Sequence, residues 1–200
     1  MPSPDRPLRV DAARNRQLLL AAAEEEFAAH GLSASVAQIA RRAGVGKGTV
    51  FRHFASKEDL MVAIVAGHLD ILIDRAEQLA QADDPLAALL EFLTLAADER
   101  QQHDVEFLWA VSDGDARVIE LRIRLHSAIE ALVHNAREGG GIRDDVTAAD
   151  IFLLMCAPVH VVSNLSDPDP ELWKRYLAII FDGLRREGAT PLPQPAPALP

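Results

Sequence analysis

The chain has 200 residues, enough for one large domain or two small ones, and its 49% hydrophobic and 25% charged residues suit a soluble globular protein. The lone cysteine, Cys156, excludes an internal disulfide and suits a reducing compartment, and the longest nearly continuous apolar run, residues 151–162, is too short to span a bilayer. The formal charge of −10 argues against a nucleic-acid partner only until it is divided: residues 1–54 hold eight Lys or Arg against five Asp or Glu, and residues 55–200 hold twelve against twenty-five.

A basic end is drawn to phosphates and an acidic remainder is repelled by them, so the first part of the chain is expected to meet DNA. Residues 1–12 contain three prolines and no apolar periodicity, and they read as a flexible arm. They lack a charged start followed by an apolar stretch, so no signal peptide is expected and the protein is expected to be cytoplasmic. A first helix is predicted from about Ala13 to His30, with Leu20, Ala23 and Phe27 at helical spacing and Gly31 after its end. Glu24, Glu25 and Glu26 make this helix a buttress and not a reader of DNA.

The stretch 35–54 carries the chemistry. Ser35 and Gln38 form an S-x-x-Q capping box at the start of a short helix with Ile39, Ala40 and Ala43 on its apolar face. Gly44 stops that helix, and a second short helix follows from Gly46 or Lys47 to about Phe54. Val50 and Phe54 are predicted to face inward, which leaves Lys47, Thr49, Arg52 and His53 over the outer surface. A helix, a glycine turn and a basic second helix are the build of a helix-turn-helix. Ser56 then caps a long fourth helix to about Gln81, with Leu60, Ile64, Gly67 and Ile71 on one stripe and Lys57 in a first turn suited to a phosphate.

The remainder reads as all helix. Asp84-Pro85 opens a fifth helix, and His103 to Ser112 is a short one broken by Asp113-Gly114. A long helix is predicted from about Asp115 to Glu138, carrying Ile119, Ile123, Leu125, Ile129 and Leu132 and stopped by three glycines. Thr147 caps a helix that is apolar nearly all round from Ile151 to Val162 and contains Pro158. Pro170 starts the last helix, and five prolines make residues 188–200 a disordered tail.

The run SVAQIARRAGVGKGTVFRHFASKEDL, after a first helix ending in HG, resembles the N-terminal domain of the tetracycline-repressor-like (TetR) regulators over roughly residues 14–66. The remainder is similar in length and helix count only. The resemblance implies an all-α fold: a three-helix DNA-binding domain at 13–56 with its motif at 35–54, then a helical effector-binding and dimerisation domain at 57–187. It implies a homodimer that binds an operator through two recognition helices and is released by a small ligand. Carried over by position, Gln38, Lys47, Gly48, Thr49, Arg52 and His53 lie at the DNA, with Lys57 and Thr49 on phosphate and Arg52 against a guanine edge. Gly46 stands where the family often has Ser, and Phe51 where Tyr is usual, so a side-chain cap and a hydroxyl contact are absent.

In the body, Phe92, Phe107, Trp109, Met155 and Cys156 are candidates for an effector pocket, expected to take an apolar or aromatic molecule, or for plain core. Trp173, Leu177, Ile180 and Leu184 share a face of the last helix. With the preceding all-apolar helix they are expected to form a four-helix bundle across a dimer. His126, Glu130 and His134 share a helix face and converge poorly on a metal, so a solvated face is expected there, as for His103 with Glu106. His160 reads as a hydrogen-bonded core or interface residue. The expected function is that of a ligand-responsive homodimeric repressor of a palindromic operator, with no enzymatic activity and no cofactor. The competing readings are an effector-independent DNA-binding dimer and a small helical metal-dependent enzyme on the 126–134 face.

Overall fold

The computed structural model describes residues 5–102, 112, 114–163, 165–167 and 169–197. Helix α1 runs Asp5–His30, followed by a 3-10 turn at Gly31–Ser33, α2 at Val36–Arg42, α3 at Lys47–His53 and α4 at Lys57–Leu79. Next come α5 (Pro85–Gln102), α6 (Ala116–Glu138), α7 (Ala148–Leu154), α8 (Ala157–Val162) and α9 (Leu172–Leu184). The fold is all-α, and among the described residues the nearest approach to a strand is an isolated bridge between Ile142 and Arg185.

Two compact units divide between Gly67 and His68, inside α4. The first holds the chain up to Gly67 and the segment ending at Val118; the second holds His68–Gln102 and everything from Ile119 onward. In the first, α1 packs on α2 and α2 on α3, around buried Leu19, Ala23, Phe27, Ile39, Val50, Phe54, Leu60 and Ile64. In the second, α5, α8 and α9 pack mutually, around Phe92, Leu93, Ile129, Leu132, Val159, Trp173 and Phe181.

Local signals explain several helix ends. Asp84 caps α5 by accepting from the Leu86 and Ala87 amides at 3.1 and 3.0 Å. Asp115 does the same for α6 with Arg117 and Val118. Thr147 and Asp150 form a reciprocal capping box on α7. Gly140 after α6 has φ 69°, a left-handed conformation that a residue with a Cβ rarely adopts.

Four expectations about elements need correction. Helix α1 begins at Asp5, so residues 5–12 are helical and not an arm; Pro7 lies in the first turn, where a missing N–H breaks no intrahelical bond. The run 151–162 is two helices separated at Met155-Cys156, because Pro158 cannot donate to the carbonyl four residues earlier and its ring crowds it. The α4 stripe through Gly67 and Ile71 is also displaced: both are exposed, while Val65, Leu69, Leu72, Ile73 and Ala76 are buried.

The fourth concerns the tail, whose described part is tied down. The Arg143 guanidinium binds Asp145 Oδ1 at 2.5 Å and reaches the Thr190 carbonyl, while the Leu192 amide donates to Asp145 Oδ2 at 3.4 Å. The Arg143 hydrogen bond, aided by the Leu192 amide, brings the Asp145 carboxyl down from 3.8 to about 2.

Candidate nucleic-acid interface

The helix pair is braced before it is displayed. Arg42, at the end of α2, donates from Nε to Glu26 Oε1 and from Nη1 to Glu25 Oε2 of α1, both at 2.6 Å. Glu26 is buried, and the Arg42 hydrogen bond holds its carboxyl below the usual range against the opposing effect of burial. The same pair raises the Arg42 guanidinium above its usual value. Two members of the glutamate run thus act as a buttress through one arginine of α2.

The start of α2 is a closed capping box: Gln38 Oε1 accepts from the Ser35 amide at 2.9 Å, and Ser35 Oγ accepts from the Gln38 amide at 3.3 Å. The cap engages the Gln38 carbonyl, so for DNA this residue has its side-chain amide N–H groups to offer. The turn that follows depends on Gly44, with φ 69°; the Val45 amide reaches back to the Ala40 carbonyl at 2.9 Å.

Helix α3 is held by Val50 and Phe54, 2% and 4% exposed. Gly46 is its N-cap with no side-chain bond. Lys47, Gly48, Phe51 and Arg52 are exposed and Thr49 and His53 half-buried, so the basic set does lie outward. Arg52 Nη2 donates to Thr49 Oγ1 at 3.0 Å, one turn back. Arg16 of α1 stacks over the Phe54 ring at 5.0 Å, fixing the end of α3 from beneath.

Lys57 has a role in the fold that the sequence reading did not supply. Its ammonium donates to the Leu32 carbonyl and lies 5.7 Å from the centre of the Phe27 ring. It joins the start of α4 to the end of α1, and any phosphate contact must share the ammonium with that bond. Phe51, which stands where the family usually has Tyr, is also a feature of the surface. A large apolar side chain on the outer side of a basic helix is visible in the sequence, but only the structure shows it 52% exposed.

Three of the five effector-pocket candidates fall among the described residues. Phe92 and Met155 are buried and Cys156 is half-buried; none lines either of two surface grooves, and Phe107, Trp109, His103 and Glu106 lie outside the described residues. One groove, about 350 Å³, runs between α5 and α9 along Leu90, Leu177 and Phe181, with Lys174 and Arg185 at its rim. The other, about 410 Å³, lies between α4 and α6 at Glu77, Gln81, Ile123 and Ala131. Glu130 and His134 are exposed and His126 is half-buried; His160 is exposed, not a core residue.

The expected dimer face is corrected as well. Trp173, Leu177 and Leu184 are buried within the single chain and have almost no area left for a partner, whereas Ile180 is half-buried. Ile179 is the large apolar residue that α9 leaves outward, 56% exposed.

Residues 19–64 match the family model described as bacterial regulatory proteins of the tetR family, and residues 84–186 match the SbtR-like transcriptional regulator C-terminal domain. A TetR transcription regulatory protein from Mycobacterium vanbaalenii superposes with a TM-score of 0.65 at 32% identity, covering 89% of this chain and 99% of that one. A TetR transcriptional regulator from Streptomyces coelicolor gives 0.66 at 30% identity, over 86% and 99%. An HTH-type transcriptional regulator of Staphylococcus aureus (strain USA300) is 37% identical over 73 residues, 36% of this chain and 40% of that protein, so this match spans less than half of its length. None of the described helices is long and apolar enough to cross a membrane. With a helix-turn-helix at one end and a family domain over half its length at the other, the protein belongs to the TetR family of DNA-binding transcriptional regulators.

Proposed function

We propose that this regulator is a homodimeric repressor that holds a palindromic operator with one α3 in each half-site and is released by a small apolar or aromatic molecule bound in the body. The observation that carries the operator reading is the division of α3: Val50 and Phe54 anchor one side, while Lys47, Gly48 and Arg52 are exposed on the other. In this reading Arg52 donates to guanine O6 and N7, steadied by its bond to Thr49. Thr49, Lys57 and Gln38 contact the backbone, and Lys47 and His53 complete the interface.

A palindromic operator needs two heads at a fixed half-site spacing, which favours a dimer. With Trp173, Leu177 and Leu184 already buried, the partner contact falls on Leu153, Val161 and Ile179, the apolar side chains that α7, α8 and α9 leave about half exposed. Release requires only that the effector favour one body conformation. A coupling of about 1–3 kcal/mol changes operator affinity about 5–150-fold.

Fluorescence anisotropy on a duplex selected from random sequence by the full-length protein tests the reading. Wild type should bind that duplex far more tightly than a scrambled one, and Arg52→Ala should weaken binding about tenfold or more. Equal affinity for the two duplexes would overturn it.

A further inference from the structure

We propose that Phe51 and Gly48 together form an apolar notch on α3 that receives the 5-methyl group of a thymine in the major groove, making Phe51 a specificity-determining residue. This rests on the operator reading above. Two independent observations lead to it.

The first is Phe51 itself. It is 52% exposed on a helix where Val50 and the C-cap Phe54 are nearly completely buried. At about 100° per residue, Lys47 lies one turn before Phe51 on the same flank, and Arg52 one turn after Gly48 on the outer side. The ring therefore sits between two exposed cations, on a surface whose charge suits phosphate-lined DNA.

The second is the empty position beside it. A Cβ built at Gly48 would meet nothing within 4 Å, and the residue is not among the glycines with positive φ. Neither packing against the described residues nor backbone conformation requires glycine there, and alanine would favour the helix. The space lies on the exposed side of α3 and is open to something that approaches from outside. Gly48 and Phe51 are three apart and so are surface neighbours on α3.

The chemistry of the notch selects its occupant. A phenyl ring has no group to donate to a phosphate or to a base nitrogen or oxygen. Among the base edges displayed in the major groove, only thymine presents an apolar group, its C5-methyl. The deep, narrow major groove of an RNA duplex does not admit such a contact.

The test uses the full-length protein and the selected duplex, with each thymine replaced in turn by deoxyuridine, which removes the methyl group alone. Wild type should lose about fourfold in affinity at one position per half-site, the amount a buried methyl group contributes. Phe51→Ala should bind the methylated and demethylated duplexes equally at that position. Since Phe51 is half-exposed, the fold should survive, and circular dichroism checks this. Gly48→Ala supplies a second variant: it should melt no lower than wild type yet bind several-fold more weakly. Wild type indifferent to every deoxyuridine, Phe51→Ala still sensitive at the same position, or Gly48→Ala binding unimpaired would each overturn the notch while leaving the operator reading standing. Failure to select any duplex would overturn both.

Discussion

Both units bury an apolar core and carry polar ties between helices, and they differ in where those ties fall. In the first, polar contacts between elements are prominent: Arg42 ties α2 to Glu25 and Glu26 of α1, and Lys57 ties α4 to the Leu32 carbonyl. In the second, α5, α8 and α9 meet through Phe92, Leu93, Val159, Trp173 and Phe181. Polar ties such as Asn135 Nδ2 to the Ala80 carbonyl, 2.9 Å, sit alongside that core. Directional bonds fix the angle of α2 against α1, whereas the apolar packing that holds α3 through Val50 and Phe54, like that of the second unit, fixes volume and tolerates repacking. A unit that must present side chains to DNA benefits from the first kind of joint. In the proposed function the second unit answers a ligand by shifting, and a core that tolerates repacking suits that.

The largest expected effect breaks the apolar side of this comparison. Trp173→Ala, at a residue 1% exposed, should cost about 3–5 kcal/mol of stability, read by urea denaturation. A loss below about 1 kcal/mol would mean that the α9 core is not packed as described.

Arg42→Ala comes next and attacks the polar joint. It leaves the buried Glu26 without the guanidinium that lowers its pKa, so the melting temperature at neutral pH should fall. The wild-type contribution is present above 4.5, the ordinary value, and is lost as pH falls through the lower folded one. The gap between wild type and variant should therefore narrow below pH 4.5. A gap independent of pH would point to lost packing in place of the ion pair.

Ser35→Ala removes one half of the α2 cap and should cost about 1 kcal/mol. Restoring stability with Ser35→Asp would attribute the loss to the cap acceptor. The smallest effect concerns the tail. The Asp145 carboxyl is depressed from 3.8 to about 2, so its hold on Arg143 and Leu192 is complete above 3.8 and lost as pH falls through about 2. Protection of the Leu192 amide, measured against its unstructured exchange rate at each pH, should fall over that window, and unchanged protection would show that the carboxylate does not retain the tail.

Much of the first unit was legible before any coordinates. The Ser35–Gln38 box, the Gly44 stop and the inward pair Val50 and Phe54 each depend on residues within four positions, so their geometry follows from spacing. The same holds in the body for Asp84, Asp115 and Thr147 as caps. What escaped the reading joins distant parts of the chain: Arg42 to residues 16 and 17 earlier, Lys57 to Leu32, and Arg143 to Thr190. The α7–α8 break is an exception, because Pro158, which causes it, lies within the run it divides.

The α9 stripe shows where the boundary lies. Residues 177–181 read Leu-Ala-Ile-Ile-Phe, and a helical period of 3.6 allows Ile180 or Phe181 to follow Leu177 inward. The structure buries Phe181, half-buries Ile180 and turns Ile179 out. By itself the sequence determined which helices form and where most of them stop, because caps, turns and periodicity act through neighbours along the chain. The tertiary structure decided which apolar side chains were consumed inside it and which, like Phe51 and Ile179, remain outside. Burial depends on what another element brings to the contact, and spacing along one helix does not contain that.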